Sequence, residues 1–188
     1  MKKLILASGS PRRKDILNSE GIEFTVRKSG FNEVSGKDPV FVATENAKGK
    51  AEDVFNSLSV SEKKEYMVLG ADTVVFFNGK IYGKPKSPED AKSMLKTLSG
   101  NVHTVVTGFA LVTESGVTVD KDTTEVEFYN LSNELIEEYV STGKPLDKAG
   151  AYGVQDGYEL VKRFGGSYTN VVGLPKEKII PLIKNTKE

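Results

Sequence analysis

The feature that most restricts the fold is the junction between an apolar run at residues 4–7 and a polar segment at residues 8–13. The run is short and continuous, which is typical of a buried strand. Ser10 followed by Pro11 is typical of a helix start, with serine at the N-cap and proline at the first helical position. The sequence therefore predicts a buried strand that is joined to a helix by a short polar loop.

Helical and hairpin patterns alternate along the rest of the chain. From Val40 to Leu58 the apolar positions recur at steps of three and four, which indicates a helix with one buried face. Asn78-Gly79 between two apolar stretches predicts a hairpin. Other segments predict an antiparallel strand pair at 102–113 and 117–129, and helices at 87–100, at 132–143 and from Pro175 onward. This order predicts an α/β protein with a mixed sheet, and no linker or repeat divides residues 1–188, which predicts a single domain.

Composition excludes several kinds of site and partner. The chain has no cysteine and a single histidine, His103, so any metal must bind to carboxylates, carbonyls and water, a set that favours magnesium or manganese. The 26 basic and 26 acidic side chains balance, which argues against broad binding to nucleic acid or to an anionic membrane. The first apolar run is too short for a signal peptide and no run is long enough to span a membrane, so we expect a cytosolic protein.

The predicted helix start at residues 8–13 is a candidate anion site. Free backbone N–H groups and the positive end of the helix dipole favour an anion there. Ser8, Ser10, Arg12 and Arg13 add hydroxyl and guanidinium donors that match phosphate geometry. The alternative is an ordinary Ser-Pro cap followed by two surface arginines, and spacing alone favours this alternative. Neither a Walker loop nor a GxGxxG fingerprint is present.

Asp72 lies within an apolar strand predicted at residues 67–77, which Gly70–Thr73 is expected to interrupt. A carboxylate in an apolar strand is costly unless it is paired, protonated or bound to metal, so Asp72 is either a functional acid or a structural residue in a turn. Lys48 borders the apolar stripe of its helix and either delivers its ammonium to a cleft or extends into solvent.

Two loop residues also carry groups that suit ligand binding. Lys84 is held between Gly83 and Pro85, although many surface loops have this composition. Gln155 could read a base edge through its amide or simply end a polar strand.

Taken together, six blocks closely resemble the Maf family and occur in the family's order. They extend over nearly the whole chain: Leu6–Arg13, Gly70–Thr73, Gly83–Pro85, Leu98–Gly100, Leu146–Gly153 and Val172–Pro175. The resemblance implies a nucleoside triphosphate pyrophosphatase that hydrolyses its substrate to the monophosphate and pyrophosphate with a divalent metal, Mg or Mn. It also implies an elongated α/β fold similar to that of the inosine triphosphate pyrophosphatases, with two lobes around a central cleft, and a homodimer.

The resemblance also implies roles for individual residues. Ser8, Arg12 and Arg13 match the triphosphate-binding loop, and Glu33 and Asp72 match the acids around the metal, with Asp72 as proton acceptor. Lys48 and Lys84 match the two active-site lysines. Arg13, Thr73 and Gln155 match the positions that mark the branch acting on dTTP and UTP rather than on 7-methyl-GTP.

One departure from the family pattern is Gly49, because an alanine usually follows the lysine that Lys48 is taken to match. The rival interpretation from the resemblance is a nucleotide- or nucleic-acid-binding regulator of cell division without hydrolysis.

Overall fold

The computed structural model describes residues 2–187 and contains one seven-stranded mixed sheet. The strands are β1 (Lys3–Leu6), β2 (Phe24–Val26), β3 (Tyr66–Phe77), β4 (Lys80–Tyr82), β5 (Val102–Thr113), β6 (Gly116–Phe128) and β7 (Val161–Gly165). Their order is β2-β1-β3-β5-β6-β7, and β4 pairs with β3. The pairs of β1 with β2 and β3 are parallel and the other pairs are antiparallel. The predicted α/β class with a mixed sheet is confirmed.

Helices flank this sheet. They are α1 (Pro11–Ser19), α2 (Pro39–Asn56), α3 (Val60–Glu65), α4 (Pro88–Leu98), α5 (Asn133–Ser141), α6 (Tyr168–Val172) and α7 (Lys176–Lys187). The sequence patterns predicted all of these except α3 and α6, which are short. Two short 3₁₀ turns, Lys144–Asp147 and Ala149–Ala151, precede β7. Within the described residues, no helix is both long and apolar enough to cross a membrane.

Strand β3 runs without a break from Tyr66 to Phe77, so the predicted interruption at Gly70–Thr73 is wrong. It pairs with β5 in continuous register, and Asp72 lies opposite Gly108. Gly70 is present because a helix crosses there: a Cβ added to it would lie 2.2 Å from the carbonyl oxygen of Ala47. Glycine in this strand thus marks close backbone approach rather than a strand end.

Helix α2 packs across β3 and β5 through small residues. Ala43, Ala47 and Ala51 are fully buried along one face of the helix. On the sheet, Gly108 matches Gly70, because a Cβ added to Gly108 would lie 2.4 Å from the backbone carbonyl of Ala43. This close packing fixes the height of α2 above Asp72, and the neighbouring face of the helix is directed towards the carboxylate.

Candidate active site

A cleft of about 890 Å³ opens beside the middle of β3. It is bounded by the loop between β1 and α1, the loop at residues 28–36, helix α2 and the segment at residues 147–155. All but one of the predicted site residues line it: Ser8, Arg12, Arg13, Glu33, Asp72, Thr73, Lys84 and Gln155. The exception is Lys48.

Asp72 is at the centre of this cleft and its side chain is 13% exposed. Its Oδ1 lies 2.7 Å from the ammonium nitrogen of Lys50. Its Oδ2 accepts a hydrogen bond of 3.1 Å from the amide Nδ2 of Asn46. Each carboxylate oxygen therefore has a donor on α2, so this charge at the cleft wall is paired.

The lysine that enters the cleft is Lys50, which corrects the assignment of Lys48. The Nζ of Lys50 lies 2.7 Å from Glu33 Oε1 as well as 2.7 Å from Asp72 Oδ1. Residues two apart on a helix point about 200° apart around its axis, so Lys48 is directed away when Lys50 faces Asp72. Lys50 is followed by Ala51, which supplies the lysine-alanine pair that the family pattern leads one to expect.

With Lys50 in this role, Gly49 is no longer a departure from the pattern. It has a packing function instead, because a Cβ added there would lie 2.3 Å from the ring of Phe31. The missing side chain lets the loop that carries Glu33 lie flat on α2.

Glu33 approaches Asp72 from this loop, and 58% of its side chain is exposed. Partial burial alone would raise its pKa, but the hydrogen bond and charge of Lys50, with the charges of Lys84 and Arg13, hold the pKa of Glu33 below its ordinary value of 4.5. Glu33 is therefore ionised at neutral pH.

Arg13 connects three parts of the cleft wall. Its Nε donates to the carbonyl of Gly173 at 2.8 Å, and its two terminal nitrogens donate to Ser8 Oγ at 3.0 Å and to Thr73 Oγ1 at 3.2 Å. Burial lowers the pKa of Arg13, the charge of Asp72 partly offsets this effect, and the arginine remains protonated. This guanidinium thus holds the β1–α1 loop against β3.

The start of α1 has the character of an anion site. Ser10 is at the N-cap, with Pro11 in the first turn. Among residues 2–187 the Ser10 hydroxyl makes no capping bond. This hydroxyl therefore does not compete with an anion for the backbone N–H groups of that turn. The predicted strand, loop and helix at residues 3–13 are confirmed, and the loop faces the same space as Asp72.

Arg12 takes a different direction and bonds across the cleft. It donates to Asp147 Oδ2 at 2.9 Å and to the Asp147 carbonyl at 3.3 Å. Asp147 in turn accepts from Lys148, whose Nζ lies 2.8 Å from Asp147 Oδ1 and 3.3 Å from Asp156 Oδ2. An ion pair therefore connects the start of α1 to the 3₁₀ turn at Lys144–Asp147, although the two are far apart in sequence.

Lys84 and Gln155 lie at the rim of the cleft and are exposed. Lys84 is close enough to Glu33 to lower the pKa of that carboxyl. Both are free to reach a ligand that enters the cleft.

The acids of this cleft suit a hard divalent cation in part. Glu33 and Asp72 supply carboxylate oxygens on the two sides of a single ammonium group, and carboxylates together with substrate phosphates are the usual ligands of magnesium in nucleotide enzymes. Among residues 2–187 no group of three or more histidine, cysteine or acidic side chains is placed to hold a metal. These residues fit a metal ion whose coordination shell is completed by substrate oxygens. They do not fit a site in which the protein supplies all the ligands.

The sequence patterns did not indicate Asn46, and they pointed to Lys48, whereas Asn46 and Lys50 line the cleft. Both lie on the face of α2 beside the buried alanines, at a spacing of four residues. In the sequence they appear only as two polar residues four positions apart, next to a row of alanines. This pattern indicates a site only when the strand under the helix is known to carry Asp72.

Comparison with known proteins identifies the family of this chain. Residues 3–186 match the family model described as Maf-like protein. The chain is 45% identical to the dTTP/UTP pyrophosphatase of Halalkalibacterium halodurans, with 98% of this chain and 96% of that protein covered. It is 46% identical to the dTTP/UTP pyrophosphatase of Pyrococcus furiosus, with 98% and 95% covered.

The fold is also similar to that of the Staphylococcus aureus Ham1 protein, with a TM-score of 0.55 and 14% identity over the full length of both chains. That likeness concerns the fold alone. The match to the family model and the two relatives extends over nearly every residue, including the cleft. This chain belongs to the Maf family.

Proposed function

We propose that this protein is a nucleoside triphosphate pyrophosphatase. It hydrolyses dTTP and UTP to the nucleoside monophosphate and inorganic pyrophosphate (diphosphate). The observation that carries the proposal is the pairing of Glu33 and Asp72 through Lys50, in the same cleft as the anion-binding start of α1. Relatives 45% and 46% identical over nearly the whole chain are named dTTP/UTP pyrophosphatase, which supports the same substrate class.

The triphosphate would bind at the β1–α1 loop. The N–H groups at the start of α1, Ser8 and the guanidinium of Arg13 are donors on one wall, and Lys84 is a cation at the rim. Arg12 joins them when its contact with Asp147 is exchanged for a phosphate oxygen. These groups neutralise phosphate charge, which is the main requirement of phosphoryl-type transfer.

The reaction would take place beside Asp72. A water attacks the α-phosphorus, the bond from that phosphorus to the oxygen bridging to the β-phosphate breaks, and diphosphate leaves. Asp72 orients the water and accepts its proton, while Lys50 holds Asp72 Oδ1 and stabilises negative charge on the phosphate. Glu33 and Asp72 would hold a magnesium or manganese ion, which when bound supplies further neutralisation of the phosphate charge.

Base recognition would involve Thr73, Arg13 and Gln155. The Gln155 amide offers both a donor and an acceptor at the cleft rim, and Thr73 is held by Arg13 at 3.2 Å. We propose that this set favours a pyrimidine. A cytosolic location stays a prediction from the apolar pattern of the sequence, and a homodimer stays a prediction from the resemblance. Light scattering at several concentrations tests the homodimer.

The test is a pyrophosphate-release assay with UTP, dTTP, 7-methyl-GTP and ITP, each with magnesium or manganese. We expect UTP and dTTP to react fastest, and Asp72→Asn to abolish turnover while its circular dichroism spectrum stays that of the wild type. Pyrophosphate release by Asp72→Asn at the wild-type rate would contradict the assigned role. Tight nucleotide binding without release from any substrate would favour the non-hydrolytic regulator.

A further inference from the structure

The loop that carries Glu33 lies along one stripe of helix α2. Contacts occur at helix positions spaced by three or four residues, which share one face of a helix. With the loop residue given first, the contacts are as follows: Gly36 with Val42, Val34 with Asn46, Phe31 with Gly49, and both Ser29 and Gly30 with Asp53. One face of α2 therefore packs on the sheet, while another face contacts the loop that carries Glu33.

Asn46 is the member of this stripe that also reaches the acid on the sheet. It is 2% exposed. Its Oδ1 accepts from the backbone N–H of Val34 at 2.7 Å, and its Nδ2 donates to the Val34 carbonyl at 3.2 Å and to Asp72 Oδ2 at 3.1 Å. One side chain therefore binds both the backbone next to Glu33 and the carboxylate of Asp72.

These bonds set the relative position of the two carboxylates. Val34 follows Glu33 directly, so the paired bonds from Asn46 to the Val34 backbone restrict where the Glu33 side chain begins. The bond to Oδ2 restricts rotation of the Asp72 carboxylate, because Lys50, one turn further along α2, holds Oδ1. Asn46 and Lys50 together hold Asp72 by both oxygens.

We infer that Asn46 is a positioning residue of the reaction, which couples Glu33 to Asp72 without contacting the substrate. The inference rests on the proposed hydrolysis of nucleoside triphosphates. Small misplacements of catalytic groups cost large factors in rate, because the bound geometry must be close to that of attack. The role predicts a loss in kcat, whereas a merely structural asparagine would affect stability only.

Two substitutions separate the contacts. Asn46→Leu removes all three hydrogen bonds in a side chain of similar size. Asn46→Asp keeps the acceptor for the Val34 N–H but loses the donor to the Val34 carbonyl and to Asp72. It also places a like charge about 3.1 Å from Asp72 Oδ2. The matched control is Asp53→Ala, which releases Ser29 and Gly30 of the same loop, about two helical turns from Asn46, with no contact to Asp72.

The measurements are kcat and KM for UTP on the metal-loaded enzyme, and hydrogen–deuterium exchange of residues 29–36 in the enzyme without nucleotide or metal. We expect both Asn46 variants to lose about tenfold to a hundredfold in kcat, with KM within about threefold. The Val34 amide should exchange faster in Asn46→Leu and stay protected in Asn46→Asp. Asp53→Ala should keep kcat within about twofold while Ser29 and Gly30 exchange faster.

The inference is overturned if both Asn46 variants retain the wild-type kcat, or if Asp53→Ala loses as much as they do, which would indicate general loop anchoring. Should Asn46→Leu fail to fold, the comparison of Asn46→Asp with Asp53→Ala decides the question. If the wild-type protein releases no pyrophosphate from any nucleotide, the proposed function fails instead. The exchange of Val34 then still reports whether Asn46 holds the loop.

Discussion

The ammonium of Lys50 lies between two carboxylates and faces the cleft that would receive a polyanion. Its side chain is 16% exposed, and it is 2.7 Å from both Glu33 and Asp72. Truncating one partner of a largely buried ion pair leaves the other charges without compensation, which costs far more than losing a surface pair. The site therefore depends on this lysine for its own geometry as well as for the charge offered to phosphate.

Lys50 and Lys48 form a matched pair for testing this position. Lys50→Met, which keeps the apolar stem, should lower kcat for UTP by about a hundredfold or more, because a cation at the reacting phosphate and at Asp72 is lost. Lys48→Met should leave kcat within about twofold. Steady-state kinetics on both variants check the prediction. A larger loss of kcat in Lys48→Met than in Lys50→Met would show that Lys48 is the active-site lysine.

His103 gives a prediction about stability and pH. It is 2% exposed, its Nε2 lies 2.8 Å from Tyr152 Oη, and burial lowers its pKa to about 4. The unfolded chain has the ordinary value of 6.5, so between pH 6.5 and 4 the unfolded state binds more protons than the folded state. Stability is then greatest above pH 6.5 and falls by up to about 3 kcal/mol as the pH drops through this window.

The variant His103→Gln should lose this part of the pH dependence. Urea unfolding at pH 7, 5.5 and 4.5 measures the free energy of unfolding for both proteins. We expect the difference between pH 7 and pH 4.5 to be smaller in the variant than in the wild type. Equal pH dependence in the two proteins would show that His103 does not remain neutral in the folded state.

At the scale of the elements, the site is set by how closely α2 approaches the sheet. Two glycines on adjacent strands, Gly70 and Gly108, face the helix backbone, and Ala43 and Ala47 lie above them. Asn46 and Lys50 extend from the same helix towards Asp72. A shift of the helix away from the sheet would therefore displace the two donors that hold the carboxylate.

The substitution Gly108→Ala tests this dependence. Its Cβ would lie 2.4 Å from the Ala43 backbone, so the helix must move, and we expect a loss of about 2 kcal/mol in stability together with a lower kcat. Gly30→Ala is the control, because its Cβ meets nothing within 4 Å, and it should change stability by less than about 0.5 kcal/mol. Denaturant unfolding and UTP kinetics on both variants provide the comparison.

At the scale of the whole molecule, the cleft joins segments from both halves of the chain. Arg13 bonds to Thr73 and to Gly173, and Arg12 bonds to Asp147. Without ligand, Lys50 contacts both acids and offsets part of their charge, so we expect the folded state not to depend on a bound metal at this point.

Chelation and ligand binding should therefore affect stability differently. We expect EDTA to abolish pyrophosphate release but to shift the melting temperature of the nucleotide-free protein by no more than about 1 °C. Adding UMP with magnesium should raise the melting temperature by several degrees, because the ligand binds only the folded state. A large drop in melting temperature with EDTA alone would indicate a resident metal that contributes to the fold.

The sequence by itself determined much of this protein, because several signals are local. The Ser10-Pro11 helix start, the Asn78-Gly79 hairpin and the apolar stripe of α2 depend on residues within a few positions of one another. The order of motifs also indicated the family, and the resemblance implied Glu33 and Asp72, which the structure places in one cleft.

Only the tertiary structure decided which lysine faces the cleft, whether β3 is continuous, and that Asn46 contacts Asp72. Lys48 and Lys50 have the same chemistry and nearly the same neighbours in sequence, and they differ in the direction each takes from α2. That direction is set by the close approach of α2 to Gly70 and Gly108, which lie on strands outside the helix. Gly70, which was predicted to interrupt β3, leaves room for the helix instead. Segments brought together by packing leave no local pattern, so their contacts are known only when the chain is folded.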